Sequence, residues 1–208
     1  MHSIAILGAG MMGNVHARAY RAMGEISSLW IVDPVESRAK AISEKYGANV
    51  ASFEEVLENG VIDIVDICTP TFTHGELAVR ALEAGKHVFC EKPVALKIEE
   101  ARAMDGAAKK SGRKFMVGHV VRFFPQYIRV RELAFAGDIG EIVMARLYRG
   151  GSFPSHGIDN WFADIDKSGG VFVDLSIHDF DFLRKLLGPV KTVEARSVAL
   201  SSERKKDS

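Results

Sequence analysis

Residues 4–13, IAILGAGMMG, decide the fold of the first half of this chain. Four apolar residues predict a short buried strand, and the glycines after it predict a tight turn into a helix over Met11–Met23. Gly8, Gly10 and Gly13 have the spacing GxGxxG. That pattern is weak evidence when it stands alone, but here it follows a strand and opens a helix, which is the context of a dinucleotide-binding fold.

An acidic residue completes this motif. The second predicted strand, Leu29–Val32, ends at Asp33, which lies 20 residues after Gly13. In a dinucleotide-binding fold the first glycine makes the turn, the second lets the backbone approach the pyrophosphate, and the third lets the helix pack closely on the sheet. The alternative, in which the glycines serve only a tight turn and Asp33 only a turn before Pro34, is the weaker interpretation in this context.

The same segment predicts which dinucleotide is bound. We expect the N–H groups at the helix start, which includes Met11 and Met12, to face the diphosphate. Asp33 would accept hydrogen bonds from the adenosine ribose hydroxyls and would repel a 2′-phosphate, so NAD is favoured. Arg38 leaves NADP open, since a basic side chain nearby could meet that phosphate.

Strand and helix patterns continue to alternate up to Gly118. The predicted strands are strongly apolar, which is typical of strands covered on both faces, and the alternation predicts an α/β fold with a parallel, doubly wound Rossmann sheet. Ser52–Glu55 and Thr73–Glu76 have the pattern of capping boxes and should each open a helix. The later strands are expected at residues 49–50, 62–68, 88–90 and 115–117, and the later helices at 37–46, from 52, between 73 and 85, and at 98–110.

The pattern changes after Gly118, and the rest of the chain is expected to form part of an α+β second domain. We therefore expect a nucleotide-binding domain over residues 1–118 and a second domain over 119–208. The predicted elements of the second domain are a helix over Phe124–Ala136, a strand over Glu141–Tyr148, a loop from 150 to 170, an amphipathic helix over Leu175–Leu187 and a strand over Val190–Val198.

Composition excludes several classes of protein. With 47% hydrophobic and 26% charged residues, the 208-residue chain is neither disordered nor low in complexity. Basic and acidic residues number 27 each, so no excess of positive charge indicates nucleic acid or an anionic membrane as a partner. The two cysteines, without a CxxC pattern, argue against a disulfide framework and a cysteine zinc site, and no metal is expected. Together with an N-terminus unlike a signal peptide, they favour the cytoplasm.

A lysine follows another predicted strand, in Cys90-Glu91-Lys92-Pro93. Beside an oxidised nicotinamide, desolvation and positive charge would both favour its neutral form, which makes Lys92 a usable acid or base. Composition alone supports a surface lysine equally well. Thr69 and Pro70 follow a neighbouring strand and should also lie near the nicotinamide. His74 fits a polar residue in the first turn of a helix better than a catalytic group.

An aspartate and a histidine lie four residues apart on a predicted helix. Asp174 and His178 would share one helix face, where the carboxylate can orient an imidazole that exchanges protons near neutral pH. A metal pair is a rival use of this spacing. From the spacing alone, a helix start with Asp174 as N-cap and a partly buried histidine is the favoured interpretation.

Weaker candidates for substrate contact follow the Rossmann half. Arg122 could hold a substrate hydroxyl or carboxylate, and a salt-bridged structural arginine is an equal alternative. His156, Asp159 and Trp161 lie in the long loop, where substrate contacts often lie, and Trp161 fits a packing anchor equally well. His119 is expected to be structural.

Taken together, these segments resemble the glucose–fructose oxidoreductase and inositol dehydrogenase (Gfo/Idh/MocA) family over essentially the whole chain. The resemblance implies a two-domain NAD(P)-dependent oxidoreductase that acts on a carbinol or carbonyl of sugars, inositols and related polyols. The similar segments are GAGMMG, the strand that ends in Asp33, CTPTFTHGELAVRALEAGKHVFCEKPVA and SGGVFVDLSIHDFDFLRKLLG.

The resemblance also implies residue roles. The lysine of the family's EKP motif maps to Lys92, and its aspartate and histidine map to Asp174 and His178. It implies that a substrate C–H passes hydride directly to the nicotinamide while His178 takes the hydroxyl proton, Lys92 hydrogen-bonds the same oxygen and Asp174 orients both. A cis peptide before Pro93 and a homo-oligomer formed through the second-domain sheet are implied as well. Cofactor contacts are expected from Thr69, Pro70, His74, Glu91 and Lys92.

Two other functions of the same fold remain open. The first is a non-catalytic dinucleotide-binding sensor, against which intact Lys92, Asp174 and His178 argue. The second is a relative that uses NAD transiently to cleave a glycosidic bond. Members of the family carry a larger second-domain sheet, so we also expect these 208 residues to be part of a longer chain.

Overall fold

The structure is a computed structural model that describes residues 1–151, 154 and 157–198. Contacts between Cα atoms divide the chain into one unit over Met1–Gly118 and a second unit that begins at His119. Among the described residues, no helix has both the length and the apolar character needed to cross a membrane.

The first unit is built on a six-stranded parallel sheet with the strand order β3-β2-β1-β4-β5-β6. The order reverses between β1 and β4, which is the arrangement of a doubly wound Rossmann sheet. The predicted fold of this half is therefore confirmed. The strands are β1 (His2–Leu7), β2 (Ile26–Val32), β3 (Asn49–Val50), β4 (Ile64–Ile67), β5 (His87–Glu91) and β6 (Phe115–Gly118).

Five helices cover the two faces of this sheet. Along β1, Ile4 and Ile6 belong to one apolar cluster and Ala5 and Leu7 to the other. Because successive side chains of a strand point to opposite faces, both faces are buried, which explains why the strand is apolar at every position. The helices are α1 (Met11–Arg21), α2 (Glu36–Tyr46), α3 (Phe53–Glu58), α4 (His74–Glu83) and α5 (Ile98–Ser111).

One of the two predicted capping boxes forms. The Ser52 hydroxyl accepts the Glu55 N–H at 3.2 Å, and the Glu55 carboxylate accepts the Ser52 N–H at 2.7 Å. The box predicted at Thr73 is wrong, because Thr73 already has helical backbone angles and its hydroxyl makes no cap hydrogen bond. That hydroxyl lies instead 2.8 Å from the Pro70 carbonyl oxygen in the preceding turn.

The regular structure described in the second unit is helical. An edge-to-face contact between Tyr127 and Phe182, with ring centroids 4.7 Å apart, joins α6 to α9. Arg149 pairs with Asp179 of α9 through two hydrogen bonds of 2.8 and 2.7 Å. The helices are α6 (Pro125–Ala136), α7 (Ile165–Ser168), α8 (Gly170–Asp174) and α9 (Ile177–Leu187), with a short 3-10 segment over Ile158–Ala163.

The strands predicted over Glu141–Tyr148 and Val190–Val198 are wrong, since both segments lack regular structure. Several of their apolar side chains are exposed to solvent; Val143 is 91% exposed and Val193 is 83% exposed. A strand needs a hydrogen-bonded neighbour, and the described part of the second unit provides none for either segment. The α+β sheet expected for this half is accordingly not found among these residues.

Candidate active site

The glycine-rich turn between β1 and α1 holds three glycines for three different physical reasons. Gly8 has φ of +100°, and a Cβ there would lie 2.8 Å from the Cys68 carbonyl oxygen. A Cβ on Gly13 would lie 1.9 Å from the Gly8 carbonyl oxygen, so only glycine lets α1 start this close to the turn. Around Gly10, by contrast, none of the described atoms lies within 4 Å of an added Cβ. The turn is thus packed on one side and open at Gly10.

Asp33 is joined to this turn by hydrogen bonds. One carboxylate oxygen accepts the Ala9 N–H at 2.8 Å, and the other accepts the Val35 N–H at 2.8 Å. The bond from Val35 forms the local turn that the alternative interpretation expected. The bond from Ala9 joins the carboxylate to the glycine turn, 24 residues away. Arg38 lies exposed in the first turns of α2.

These features fit a dinucleotide. The open side at Gly10 gives a phosphate access to the start of α1, whose first N–H groups carry partial positive charge. Met11 is the first residue of that helix and is 56% exposed. Asp33 places a carboxylate beside the turn, where a ribose would follow the diphosphate.

Two more segments come to the same edge of the sheet. Parallel strands end at one edge, so the residues after β4 and β5 lie beside the glycine turn that follows β1. Thr69 and Pro70 follow β4, and Lys92 follows β5. The structure therefore brings together all the nucleotide-binding candidates that the sequence placed at strand ends in the first unit.

His74 lies beneath this edge and not on it. Its side chain is 1% exposed, with Nδ1 2.9 Å from the Pro93 carbonyl oxygen and Nε2 2.9 Å from the Thr69 carbonyl oxygen. Burial lowers the pKa of His74, although the two carbonyl groups oppose that shift. A side chain this buried supports the turn after β4 and the residue after Lys92, which is a different role from the expected contact with the cofactor.

Lys92 lies in a tightly held segment at the end of β5. The peptide bond between Lys92 and Pro93 is cis, as expected. The Lys92 backbone N–H donates to a Glu91 carboxylate oxygen at 3.1 Å. Glu91 therefore uses its side chain to hold the backbone of the residue that follows it.

A charged cluster behind this segment was not predicted from the sequence. His16 of α1 lies with Nδ1 2.8 Å from Asp66 Oδ2 and Nε2 3.2 Å from Glu91 Oε1. Burial alone would lower the pKa of His16, but hydrogen bonds and charge from Asp66 and Glu91 outweigh it and raise the pKa to about 10. Two signals could have revealed the cluster, namely an acidic residue inside the apolar strand β4 and a histidine three residues after Gly13.

Asp174 and His178 lie on two helices and not on one. Asp174 is the last residue of α8, and His178 is the second residue of α9. The helix breaks between them because the N–H groups of Leu175 and Ser176 both bond the Val171 carbonyl oxygen, and α9 starts afresh with Ser176 as its N-cap. The predicted single continuous helix, and Asp174 as its N-cap, are therefore wrong.

The other candidates of the second unit are Arg122 and residues of the long loop. Arg122 pairs with Asp181 through two hydrogen bonds, of which the Nε bond is 2.7 Å, so the structural alternative for this arginine is realised. Burial alone would raise the pKa of the Asp181 carboxyl, but the hydrogen bonds from Arg122 outweigh burial and hold that pKa below its usual range. In the loop, Trp161 stacks on Phe162 with ring centroids 3.9 Å apart, whereas His156 lies outside the described residues.

Comparison with known proteins shows two family matches in succession. Residues 2–119 match the Gfo/Idh/MocA model of the oxidoreductase family with an NAD-binding Rossmann fold. Residues 127–208 match the Gfo/Idh/MocA C-terminal domain.

Individual relatives agree with these matches. The chain is 38% identical to inositol 2-dehydrogenase of Rhizobium meliloti over 94% of its own length and 58% of that protein. It is 37% identical to scyllo-inositol 2-dehydrogenase (NAD(+)) of Bacillus subtilis, over 88% of this chain and 53% of that protein. The crystal structure of myo-inositol 2-dehydrogenase from Lactobacillus plantarum superimposes with a TM-score of 0.80 at 30% identity, over 90% of this chain and 56% of that one.

The chain thus spans a little over half the length of the curated relatives it matches. Its glycine turn, its strand order and both family matches nevertheless agree with one another. The chain belongs to the Gfo/Idh/MocA family of oxidoreductases.

Proposed function

We propose that this chain carries the nucleotide-binding site and the proton-transfer residues of an NAD-dependent dehydrogenase that acts on a carbinol of a sugar, an inositol or a related polyol. The observation that carries the proposal is the glycine turn, which is open at Gly10 and hydrogen-bonded through Ala9 to the Asp33 carboxylate. Relatives named inositol and scyllo-inositol dehydrogenases support a cyclic polyol as the substrate class.

The preference for NAD over NADP rests on Asp33. Two backbone N–H groups hold the Asp33 carboxylate beside the expected ribose position, where a carboxylate accepts from hydroxyl groups and repels a phosphate. Asp33→Asn should weaken NAD binding by about tenfold or more, because hydrogen bonds to a charged group contribute roughly 1.5–3 kcal/mol. It should also reduce the discrimination against NADP. Calorimetric titration of both cofactors measures the two effects, and an unchanged NAD-to-NADP ratio would contradict the assignment.

Three residues are proposed to act on the substrate. Bound NAD supplies the hydride acceptor for the reaction. His178 takes the proton of the substrate hydroxyl, and Lys92 donates a hydrogen bond to the same oxygen and stabilises its developing charge. Asp174 orients these two groups.

Activity assays with single variants test these roles. Lys92→Ala and His178→Ala should each lower turnover by about 10²–10⁴-fold, the usual range for losing an acid–base group, while NAD binding is retained. Lys97→Ala is the matched control, since Lys97 is an exposed lysine just before α5 and should keep full activity. Turnover that survives in either active-site variant would overturn its assignment.

A panel of polyols and sugars, followed by NADH absorbance, tests the reaction itself. NADH formation with a polyol supports the dehydrogenase. Binding of NAD without turnover on any polyol or sugar would favour a sensor of the same fold. Release of a sugar without net NADH would favour cleavage of a glycosidic bond.

We further propose that the whole protein works in the cytoplasm as a homo-oligomer. Both cysteines are free thiols, which suits a reducing compartment. The family resemblance supports an interface through the second-domain sheet. Light scattering on the purified protein tests the oligomer, and a monomer at all concentrations would contradict it.

A further inference from the structure

A buried charge cluster connects the helix of the glycine turn to the lysine segment. His16 lies on α1, three residues after Gly13, and its side chain is 14% exposed. On β4, Asp66 is 0% exposed, and at the end of β5 the Glu91 side chain is 12% exposed. Nothing in the proposed reaction so far requires these groups, yet burying two carboxylates together is costly unless a cation compensates them.

The geometry around the imidazole favours its doubly protonated form. Nδ1 faces Asp66 Oδ2 at 2.8 Å, and Nε2 faces Glu91 Oε1 at 3.2 Å. Each ring nitrogen thus faces a carboxylate oxygen, an arrangement in which an imidazolium can donate one hydrogen bond to each side. Burial opposes ionisation of Glu91, but its contacts with His16 hold its pKa below the usual value, so it is ionised at neutral pH.

The other groups that face this ring are neutral. Cys68 at the end of β4 has its sulfur 3.2 Å from Nδ1, and Tyr20 of α1 packs edge-to-face on the ring at 6.2 Å. Burial raises the pKa of both the Cys68 thiol and the Tyr20 hydroxyl. The ligand atoms of His16, Asp66 and Cys68 lie within 4.8 Å of one another, but a metal would need the thiol and the imidazole deprotonated, and this environment favours their protonated forms.

Glu91 contacts both His16 and the backbone of Lys92. Its Oε1 accepts from His16, and its Oε2 accepts the Lys92 backbone N–H at 3.1 Å. On the other side, a Cβ on Gly118 would lie 3.3 Å from Oε1, so the end of β6 leaves just enough room for the carboxylate. The Glu91 side chain is therefore held in place by the ion pair with His16, the hydrogen bond from the Lys92 N–H and the nearby backbone at Gly118.

We propose that the His16 imidazolium is a positioning residue for Lys92. Through Glu91 it fixes the backbone of the lysine, and through α1 it links that lysine to the glycine turn that receives the cofactor. This inference rests on the proposed function, because it assigns a role toward the proposed catalytic lysine.

The first test uses nitrogen NMR of the histidine rings and of the Lys92 backbone amide in the full chain. Both ring nitrogens of His16 should stay protonated from pH 6 to pH 9, consistent with a pKa of about 10. His16→Gln should shift the Lys92 amide resonance, because Glu91 loses the group that holds it. A ring that loses its proton near pH 6.5, or a Lys92 amide that does not respond, would overturn the proposal.

Kinetics give the second readout. In His16→Gln, turnover should fall by about tenfold or more, equal to about 1.4 kcal/mol, while the dissociation constant for NAD changes less than about twofold. His2→Gln is the matched control, since His2 is also an imidazole beside a carboxylate, 3.7 Å from Asp63, but at the surface. It should change neither the Lys92 amide nor the turnover. Unchanged turnover in His16→Gln would overturn the proposal.

A further variant keeps the test decisive if His16→Gln does not fold. Glu91→Gln preserves the shape of the site and leaves His16 in place, and it should lower the pKa of the His16 ring and shift the Lys92 amide. An unchanged His16 titration would contradict the proposal. If the wild-type chain turns over no polyol, the proposed function fails, but the NMR results still decide whether His16 holds the Lys92 segment.

Discussion

Gly10 and Gly13 lie three residues apart, but their surroundings differ completely. A Cβ on Gly13 would meet the Gly8 carbonyl oxygen at 1.9 Å, whereas none of the described atoms lies within 4 Å of a Cβ on Gly10. Neither residue has a positive φ, so the difference is one of space and not of backbone strain. Gly13 therefore serves the packing of α1, and Gly10 serves the ligand.

Two alanine variants separate these roles. Gly10→Ala should leave the free energy of unfolding nearly unchanged but weaken NAD binding about tenfold or more, because the methyl group occupies the space of the pyrophosphate. Gly13→Ala should lower the free energy of unfolding by about 1–3 kcal/mol, the usual cost of overpacking, and weaken NAD binding as well. Urea denaturation measures the free energy of unfolding of both variants, and calorimetry measures their affinity for NAD. A destabilised Gly10→Ala would show that the turn is closed at that position.

At the scale of elements, helix α1 is joined to the sheet by charge as well as by apolar packing. Ala17 of α1 is fully buried in the apolar cluster on one face of the sheet. One residue earlier, His16 reaches Asp66 on β4 and Glu91 on β5. A buried ion pair of this kind is strongly destabilised when one partner is removed, because the other charge is left uncompensated.

This linkage predicts how stability depends on pH. The pKa of His16 is raised from 6.5 to about 10 on folding, so its contribution to stability is complete below about pH 6.5, declines as the pH rises, and is gone above about pH 10. The free energy of unfolding of the wild type should therefore fall between pH 7 and pH 10. His16→Gln should be less stable at pH 7 and should show a shallower decline. Parallel slopes for the two proteins in urea titrations would contradict this.

A second prediction at this scale concerns α3. The Ser52 hydroxyl caps this helix, and the Glu55 carboxylate returns a bond to the Ser52 backbone. Ser52→Ala should lower the free energy of unfolding by about 1 kcal/mol, the typical value for loss of an N-cap. Thr73→Ala is the comparison, because Thr73 has the same sequence pattern but makes no cap hydrogen bond. Thermal unfolding of the two variants measures the difference, and no loss of stability in Ser52→Ala would show that the box contributes nothing.

At the level of the whole molecule, the two parts of the chain differ in how many apolar side chains they bury among the described residues. Both apolar clusters of the core consist of residues between Ile4 and Phe115. The second unit has two buried apolar side chains, Val121 and Phe182, among its described residues. We therefore propose that residues 1–118 are an independent folding domain.

Expression of residues 1–118 alone tests this proposal. The fragment should unfold cooperatively in urea and bind NAD with a dissociation constant within about threefold of the full chain, because the core and the glycine turn lie inside it. The fragment 119–208 should unfold without a cooperative transition, since too little apolar surface is buried. A fragment 1–118 that fails to fold, or that binds no NAD while the full chain does, would contradict the boundary.

Local pattern and spacing were sufficient for much of the first unit. The sequence predicts its six strands, the doubly wound sheet and the position of Asp33 after β2, because each depends on short-range periodicity or on glycine conformation. The capping pattern was less reliable, since Ser52 forms its box and Thr73 does not. A Ser or Thr hydroxyl can bond either to the helix that follows it or to the turn that precedes it. The backbone of the preceding turn decides between these partners, and a four-residue pattern does not include that turn.

Features that depend on contacts between distant residues could not be predicted from local patterns. His16 and Asp66 are 50 residues apart, and only the order of the strands brings them together with Glu91. The segments at Glu141–Tyr148 and Val190–Val198 carry a strand pattern but form no strand, because a strand exists only when a neighbour completes its hydrogen bonds. Local patterns are enough to predict the Rossmann half and the glycine turn, since these follow from short-range periodicity and glycine conformation. The contacts of His16 and the absence of the two predicted strands could be seen only in the tertiary structure, because both depend on which distant groups become neighbours.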